Sequence, residues 1–95
     1  MYRLITYNLH SGVGRDGIQD YARIGRFLVE QDADFVLLQE MDTRSAGRDV
    51  NDDISAICAD GKYMLIPAPT VTTQHGWYGN AILTRHPVLH RQQFN

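Results

Sequence analysis

The sequence predicts an α/β fold: a mixed β-sheet with two helices on one face. Three observations carry that prediction. A β-rich run, an amphipathic segment and a continuous apolar run follow one another between residues 3 and 40, the order of a strand–helix–strand unit. A second amphipathic segment then precedes further strand-like stretches. The connection at His86-Pro87 is too short for a crossover, so the strands on either side of it are antiparallel and the sheet is mixed.

From Arg3 to Leu9 the residues are largely β-branched, aromatic or aliphatic, and the run stops at the glycine-rich loop His10-Ser11-Gly12-Val13-Gly14-Arg15-Asp16-Gly17. Asp20 can cap a helix whose apolar residues Tyr21, Ile24, Phe27 and Leu28 fall at helical spacing, with Arg23, Arg26 and Glu30 pointing elsewhere. Phe35-Val36-Leu37-Leu38, between Asp34 and Gln39-Glu40, reads as a central strand buried on both faces. It should run parallel to the first, with a right-handed crossover. After a polar loop from Thr43 to Asp49, Val50, Ile54, Ile57 and Cys58 mark a second helix that Asp60-Gly61 can stop. A third strand covers Tyr63 to Ile66, and Pro67 and Pro69 end it or confine it to an edge. Thr70 to Trp77 reads as a loop, Tyr78 to Arg85 as the fourth strand, and Val88 to Phe94 as a fifth. With both helices on one face, nothing remains to cover the other, and the chain reads as half of something larger.

Composition narrows the function classes. At 95 residues the chain is a single, partial domain spanning 1–95. Nine Lys and Arg against 11 Asp and Glu give a net charge of -2, which excludes a broad nucleic-acid surface. Hydrophobic residues at 43% and charged ones at 21% describe a folding, globular chain. Cys58, the lone cysteine, cannot form an intramolecular disulfide, which points to a reducing compartment and a cytoplasmic protein. The apolar stretch at the N-terminus is too short for a signal-peptide core or a ~20-residue membrane span.

Gly12-Val13-Gly14-Arg15-Asp16-Gly17 matches the glycine pattern of dinucleotide-binding loops, with Glu40 at a suitable distance for a ribose-binding acid. Against that, Asp16 would face a pyrophosphate with like charge and the helix starts after Gly17, so a nucleotide-binding module is a distant alternative to a plain glycine-rich loop. Asn8 and Glu40 end the first two strands, and in a parallel pair they project from the edge where ligands of open α/β sheets bind. Glu40 follows five residues without formal charge; it is either a solvated strand end or a carboxylate that meets a hard cation such as Mg²⁺.

Three segments, taken in order and spacing, weigh on that choice. Thr6-Tyr7-Asn8-Leu9-His10, Leu37-Leu38-Gln39-Glu40-Met41-Asp42 and Tyr78-Gly79-Asn80-Ala81-Ile82-Leu83-Thr84-Arg85-His86-Pro87 resemble the endonuclease/exonuclease/phosphatase family of Mg²⁺-dependent phosphoesterases. The resemblance spans nearly the whole chain and takes in the loop at residues 10–17. It implies half of a four-layer α/β/β/α sandwich, with Mg²⁺, or Mn²⁺ in its place, as cofactor and in-line attack of water on a phosphomonoester or phosphodiester. Glu40 then corresponds to the family's metal-binding glutamate and Asn8 to the strand-one asparagine that helps arrange metal and phosphate. Asn80 either orients groups at the same rim or is a structural amide. His10 stands where some members carry an acid, so it is an accessory residue or a loop hydrogen bonder. Asp16 either reaches a substrate phosphate or its metal, or simply makes an Asp-Gly turn. Asp42 and Arg44 read as surface contacts, and His75, His86 and His90 as loop or surface residues.

The family's later motifs, an Asp-x-Asn and a terminal Asp-His pair, have no counterpart among these residues. The expected partner is therefore a missing C-terminal half or a second copy in a homodimer that covers the open face. The alternative is a noncatalytic truncated half-domain that self-associates through that face. The substrate is not legible: nucleic acids, inositol phosphates, sphingomyelin-like lipids and small phosphodiesters all fall within the family's range.

Overall fold

The computed structural model describes residues 1–10, 20–44 and 49–87. In chain order the elements are β1 (Leu4–Asn8), α1 (Tyr21–Glu30), β2 (Phe35–Asp42), α2 (Val50–Ile57), β3 (Met64–Thr73) and β4 (Gly76–Thr84). They build one sheet in the order β1-β2-β4-β3. β1 runs parallel to β2, and β4 runs antiparallel to both of its neighbours, so the α/β class with a mixed sheet and two helices is as the sequence predicts.

Both helices start where an aspartate supplies an acceptor. Asp20 accepts from the Arg23 N–H and Asp49 from the Asn51 N–H, each satisfying an amide that the first turn leaves unpaired. α1 buries Tyr21, Ile24 and Leu28, but Phe27 stays 41% exposed and lies against the Tyr7 ring at 5.8 Å instead of entering the core. The buried cluster joins these residues to Val36, Leu38 and Met41 of β2 and to Ala81 and Leu83 of β4. Tyr63 closes it from below, its hydroxyl donating to the carbonyls of Ala33 at 2.9 Å and Leu28 at 3.3 Å.

Two expectations need correction. The segment from Thr70 to Trp77 is not a loop: β3 continues through both prolines to Thr73 and returns as β4 after a turn at Gln74-His75. The prolines are tolerated because β3 is the sheet edge. Being two residues apart, they point their missing N–H groups to the same, unpaired side. Nor is β2 buried on both faces. Val36 and Leu38 are sealed, whereas Leu37 is 37% exposed. With Leu4 at 60%, Met64 at 50% and Ile82 at 39% exposure, it forms an apolar face that, among the described residues, no helix covers. The predicted fifth strand, Val88 to Phe94, lies outside the described residues, as does most of the glycine-rich loop.

At the lower end of the sheet Asp34, 6% exposed, gathers three strands. Its carboxylate accepts from the Arg3 N–H at 2.7 Å and the Arg85 Nε at 2.9 Å, and pairs with His86 Nε2 at 2.8 Å. These donors, the Arg3 amide first, hold the Asp34 carboxyl far below the usual carboxylate range. His86, a turn residue by sequence, is half-buried here, with its ring 5.0 Å from that of Tyr2 and 5.3 Å from that of Phe35.

Candidate functional site

The candidate site sits at the opposite end of the same sheet. The parallel register places Asn8, the last residue of β1, beside Gln39, three residues before β2 ends at Asp42. On the other side β4 pairs Ala81 with Leu38 and Gly79 with Met41, leaving Asn80 alone against two residues, Gln39 and Glu40. That is a β-bulge, and its second residue, Glu40, has φ of 57° in the left-handed region. A non-glycine residue held there stores roughly 1–3 kcal/mol, and such strain gathers at functional sites.

Leu38 and Met41 flank the bulge and are both buried under the helices, while Gln39 is exposed and Glu40 half-buried. Asn8 Nδ2 donates to Glu40 Oε2 at 2.5 Å. Asn8 Oδ1 in turn accepts from the His10 N–H at 2.9 Å, and the Leu9 N–H donates to the Gln39 carbonyl at 2.8 Å. The asparagine amide is thus oriented from both ends, with oxygen toward an N–H and nitrogen toward a carboxylate.

Among the residues singled out from sequence, Asn8 and Glu40 are in direct contact. Asn80 lies in the same cross-strand row and is exposed, and among the described residues no hydrogen bond joins its side chain to either of them. His10 contributes its backbone N–H from a left-handed φ of 47° and keeps an exposed side chain. Asp16 lies outside the described residues. No group of three or more His, Cys, Asp or Glu able to hold a metal occurs among the described residues. A cleft of about 420 Å³ lined by Ala22, Arg26, Asp52, Ser55, Ala56 and Asp60 opens on the helix layer, away from this row.

Beside the row lies a cluster whose Asp42 and Arg44 read in the sequence as surface contacts, without Tyr78. Arg44 grips Asp42 with two bonds, Nε to Oδ1 at 2.9 Å and Nη2 to Oδ2 at 3.0 Å, and its guanidinium carbon lies 5.0 Å from the centre of the Tyr78 ring. The arginine pushes the Asp42 carboxyl down, and the aspartate pushes the guanidinium up. The Tyr21 hydroxyl holds the Asp42 backbone, donating to its carbonyl and accepting from its N–H, both at 2.8 Å. The available signal was the short Asp-x-Arg spacing, which alone says little.

Comparison with known proteins follows the same lines. A crystal structure of an endonuclease/exonuclease/phosphatase from Beutenbergia cavernae DSM 12333 matches with a TM-score of 0.63 at 24% identity, over 95% of this chain and 27% of that one. An endonuclease/exonuclease/phosphatase family protein from Leptotrichia buccalis C-1013-b matches with a TM-score of 0.61 at 16% identity, over 95% of this chain and 40% of that one. The chain therefore spans well under half the length of either structure, and both share its fold. No curated protein sequence matches it. The model of the Endonuclease/Exonuclease/phosphatase family matches residues 5–94. With nearly every described element inside that match, the chain belongs to the endonuclease/exonuclease/phosphatase family.

Proposed function

We propose that this protein is the metal-binding part of a Mg²⁺-dependent phosphoesterase, in which Glu40 holds the ion and Asn8 orients carboxylate and phosphate. The observation that carries the reading is the Asn8–Glu40 contact at a strained bulge on the open face. The donor set suits the ion. Mg²⁺ keeps several waters and takes one or two carboxylates plus substrate phosphate oxygens, and Glu40 supplies one carboxylate whose Oε2 is already positioned. Mn²⁺ fits the same oxygen donors. When bound, the metal offsets charge on the nonbridging and leaving oxygens of the phosphate ester. Asn8 keeps Glu40 in one orientation, and Asn80, one strand over, offers an amide to the same rim. Groups for acid–base help come from whatever covers the open face.

The test is hydrolysis of an aryl phosphodiester by the purified chain, with Mg²⁺ and with EDTA, alongside Glu40→Gln. The metal's contribution is several kcal/mol, so the variant should lose at least about 10²-fold. Given a wild-type rate that EDTA abolishes, an equal rate in Glu40→Gln would refute the role of Glu40.

A second reading, a noncatalytic half-domain that self-associates, is favoured by the open face itself, where Leu4, Leu37, Met64 and Ile82 are all exposed. Face-to-face pairing of two copies would bury those side chains by the same contacts on each side. Light scattering across a dilution series tests it: a dimer should dissociate on Leu37→Asp with the melting temperature retained, and a wild-type monomer at all concentrations rules it out. Among the described residues no helix is long and apolar enough to cross a membrane. Cys58, buried and outside any disulfide, supports a cytoplasmic location.

A further inference from the structure

Beyond the bulge, β2 continues to Asp42, which pairs directly with Tyr78 of β4. Tyr78 precedes Asn80 by two positions, so both side chains stand on the open face, one strand repeat or roughly 7 Å apart. The Asp42–Arg44–Tyr78 cluster is thus the next row after Asn8, Glu40 and Asn80.

Three restraints fix the Arg44 guanidinium in that row. Asp42 takes its Nε and Nη2, the Tyr78 ring lies beneath it, and its own backbone N–H donates to Asp42 Oδ1 at 3.0 Å. A single-bond surface contact leaves an arginine several orientations, whereas a two-bond clasp against a ring fixes one. The clasp uses one edge of the fork. Nη1 makes no hydrogen bond among the described residues, so the end formed by Nη1 and the outer hydrogen of Nη2 is open, and the side chain is 36% exposed. A planar donor pair of this kind matches two oxygens of a phosphate.

We propose that Arg44 is a substrate-binding residue of this site, receiving through its free edge a second phosphate adjacent to the one held at Glu40, and that Asp42 and Tyr78 position it. The substrate class this implies carries at least two phosphate groups about one strand repeat apart. The adjacent-phosphate role rests on the phosphoesterase reading of Glu40, whereas anion binding at Arg44 does not, which makes the two separable.

The experiment is a titration of inorganic phosphate, at constant ionic strength and without metal, into ¹⁵N-labelled wild type and Glu40→Gln, following the Arg44 Nε–Hε resonance. A saturable shift in both proteins is expected, and Arg44→Lys, which keeps charge but loses the fork, should weaken the binding about tenfold or more. In a parallel arm Mg²⁺ alone is added and the Asn8 side-chain amide followed. Movement there in wild type and not in Glu40→Gln supports the metal reading. If Mg²⁺ moves Asn8 while phosphate leaves Arg44 unshifted, the proposal is overturned and the metal reading stands. If phosphate moves Arg44 but Mg²⁺ leaves Asn8 still, Arg44 is an anion site and its place beside a metal-held phosphate is overturned. An unshifted Arg44 whose lysine variant only lowers the melting temperature is a structural brace.

Discussion

Replacing Gly79 with alanine tests how tightly the hairpin sets Asn80. A Cβ at Gly79 would stand 2.7 Å from the Ala68 carbonyl oxygen, 2.7 Å from the Thr70 nitrogen and 2.8 Å from the Pro69 Cα. All three are backbone atoms of β3 at its register shift between Pro69 and Val71, so no side chain can swing away. The glycine also has φ of 158°, which L side chains rarely adopt. Overpacking costs about 1–3 kcal/mol, and strained backbone another ~1–3 kcal/mol. The stiffer unfolded chain returns roughly 0.4–1 kcal/mol. Gly61 provides the matched control, because its φ is 97° and nothing lies within 4 Å of its Cβ position, so alanine there meets only the backbone term. The net penalty is about 1–5 kcal/mol, so at about 4–8 °C per kcal/mol for a domain of this size Gly79→Ala should melt roughly 4–40 °C below wild type and Gly61→Ala distinctly less. Circular dichroism melts of the three proteins give the comparison. Equal melting temperatures for the two variants would refute the idea that β3 and β4 approach too closely for any residue but glycine beside Asn80.

Two further outcomes follow from the electrostatics. Burial pushes the Cys58 thiol up to about 11, so alkylation at pH 8 should be slow in the native protein and fast in urea; rapid native labelling would show the thiol to be accessible. Asp34 has its folded pKa below the unfolded value, so its contribution is present above about pH 4 and is lost as pH falls through the folded value. Stability from urea melts should drop between roughly pH 5 and pH 2, with a shallower drop in Asp34→Asn. Some slope remains in that variant because Asp42, lowered chiefly by Arg44, titrates in the same direction. An unchanged slope would mean that the Arg3, Arg85 and His86 contacts do not discriminate the charged form.

Much of the fold is legible because local signals and tertiary need agree. Asp20 and Asp49 cap helices where apolar periodicity starts, and the Phe35–Leu38 run becomes a central strand. The errors arise where context overrides a residue's usual meaning. Thr70 to Trp77 reads as a loop because it follows Pro67 and Pro69, yet of the two meanings those prolines carry, a strand end or a sheet edge, the pairing order selects the edge. His86 looks like a turn residue until Asp34, 52 positions earlier, is placed beside it, a contact no local window contains. At the candidate site, the chain order of Asn8 and Glu40 reveals that they share an edge, but their hydrogen bond depends on the bulge. The Arg44 clasp depends on Tyr78 arriving from another strand.

The bulge itself has a trace in the sequence. Along β2, Val36 and Leu38 face the helices, and strict alternation would put Glu40 next on that face. Instead the next buried residue is Met41, so the apolar spacing lengthens by one position and marks an inserted residue. Without the insertion a carboxylate would enter a core lined by Leu38, Tyr21 and Ala81, where burying an unpaired charge costs far more than a few kcal/mol. With it, Glu40 adopts a left-handed φ at roughly 1–3 kcal/mol and turns to the open face, where Asn8 meets it. The strained conformation is the smaller of the two penalties. The same step that spares the core thus delivers the carboxylate, already hydrogen-bonded, to the sheet face that the two described helices leave open.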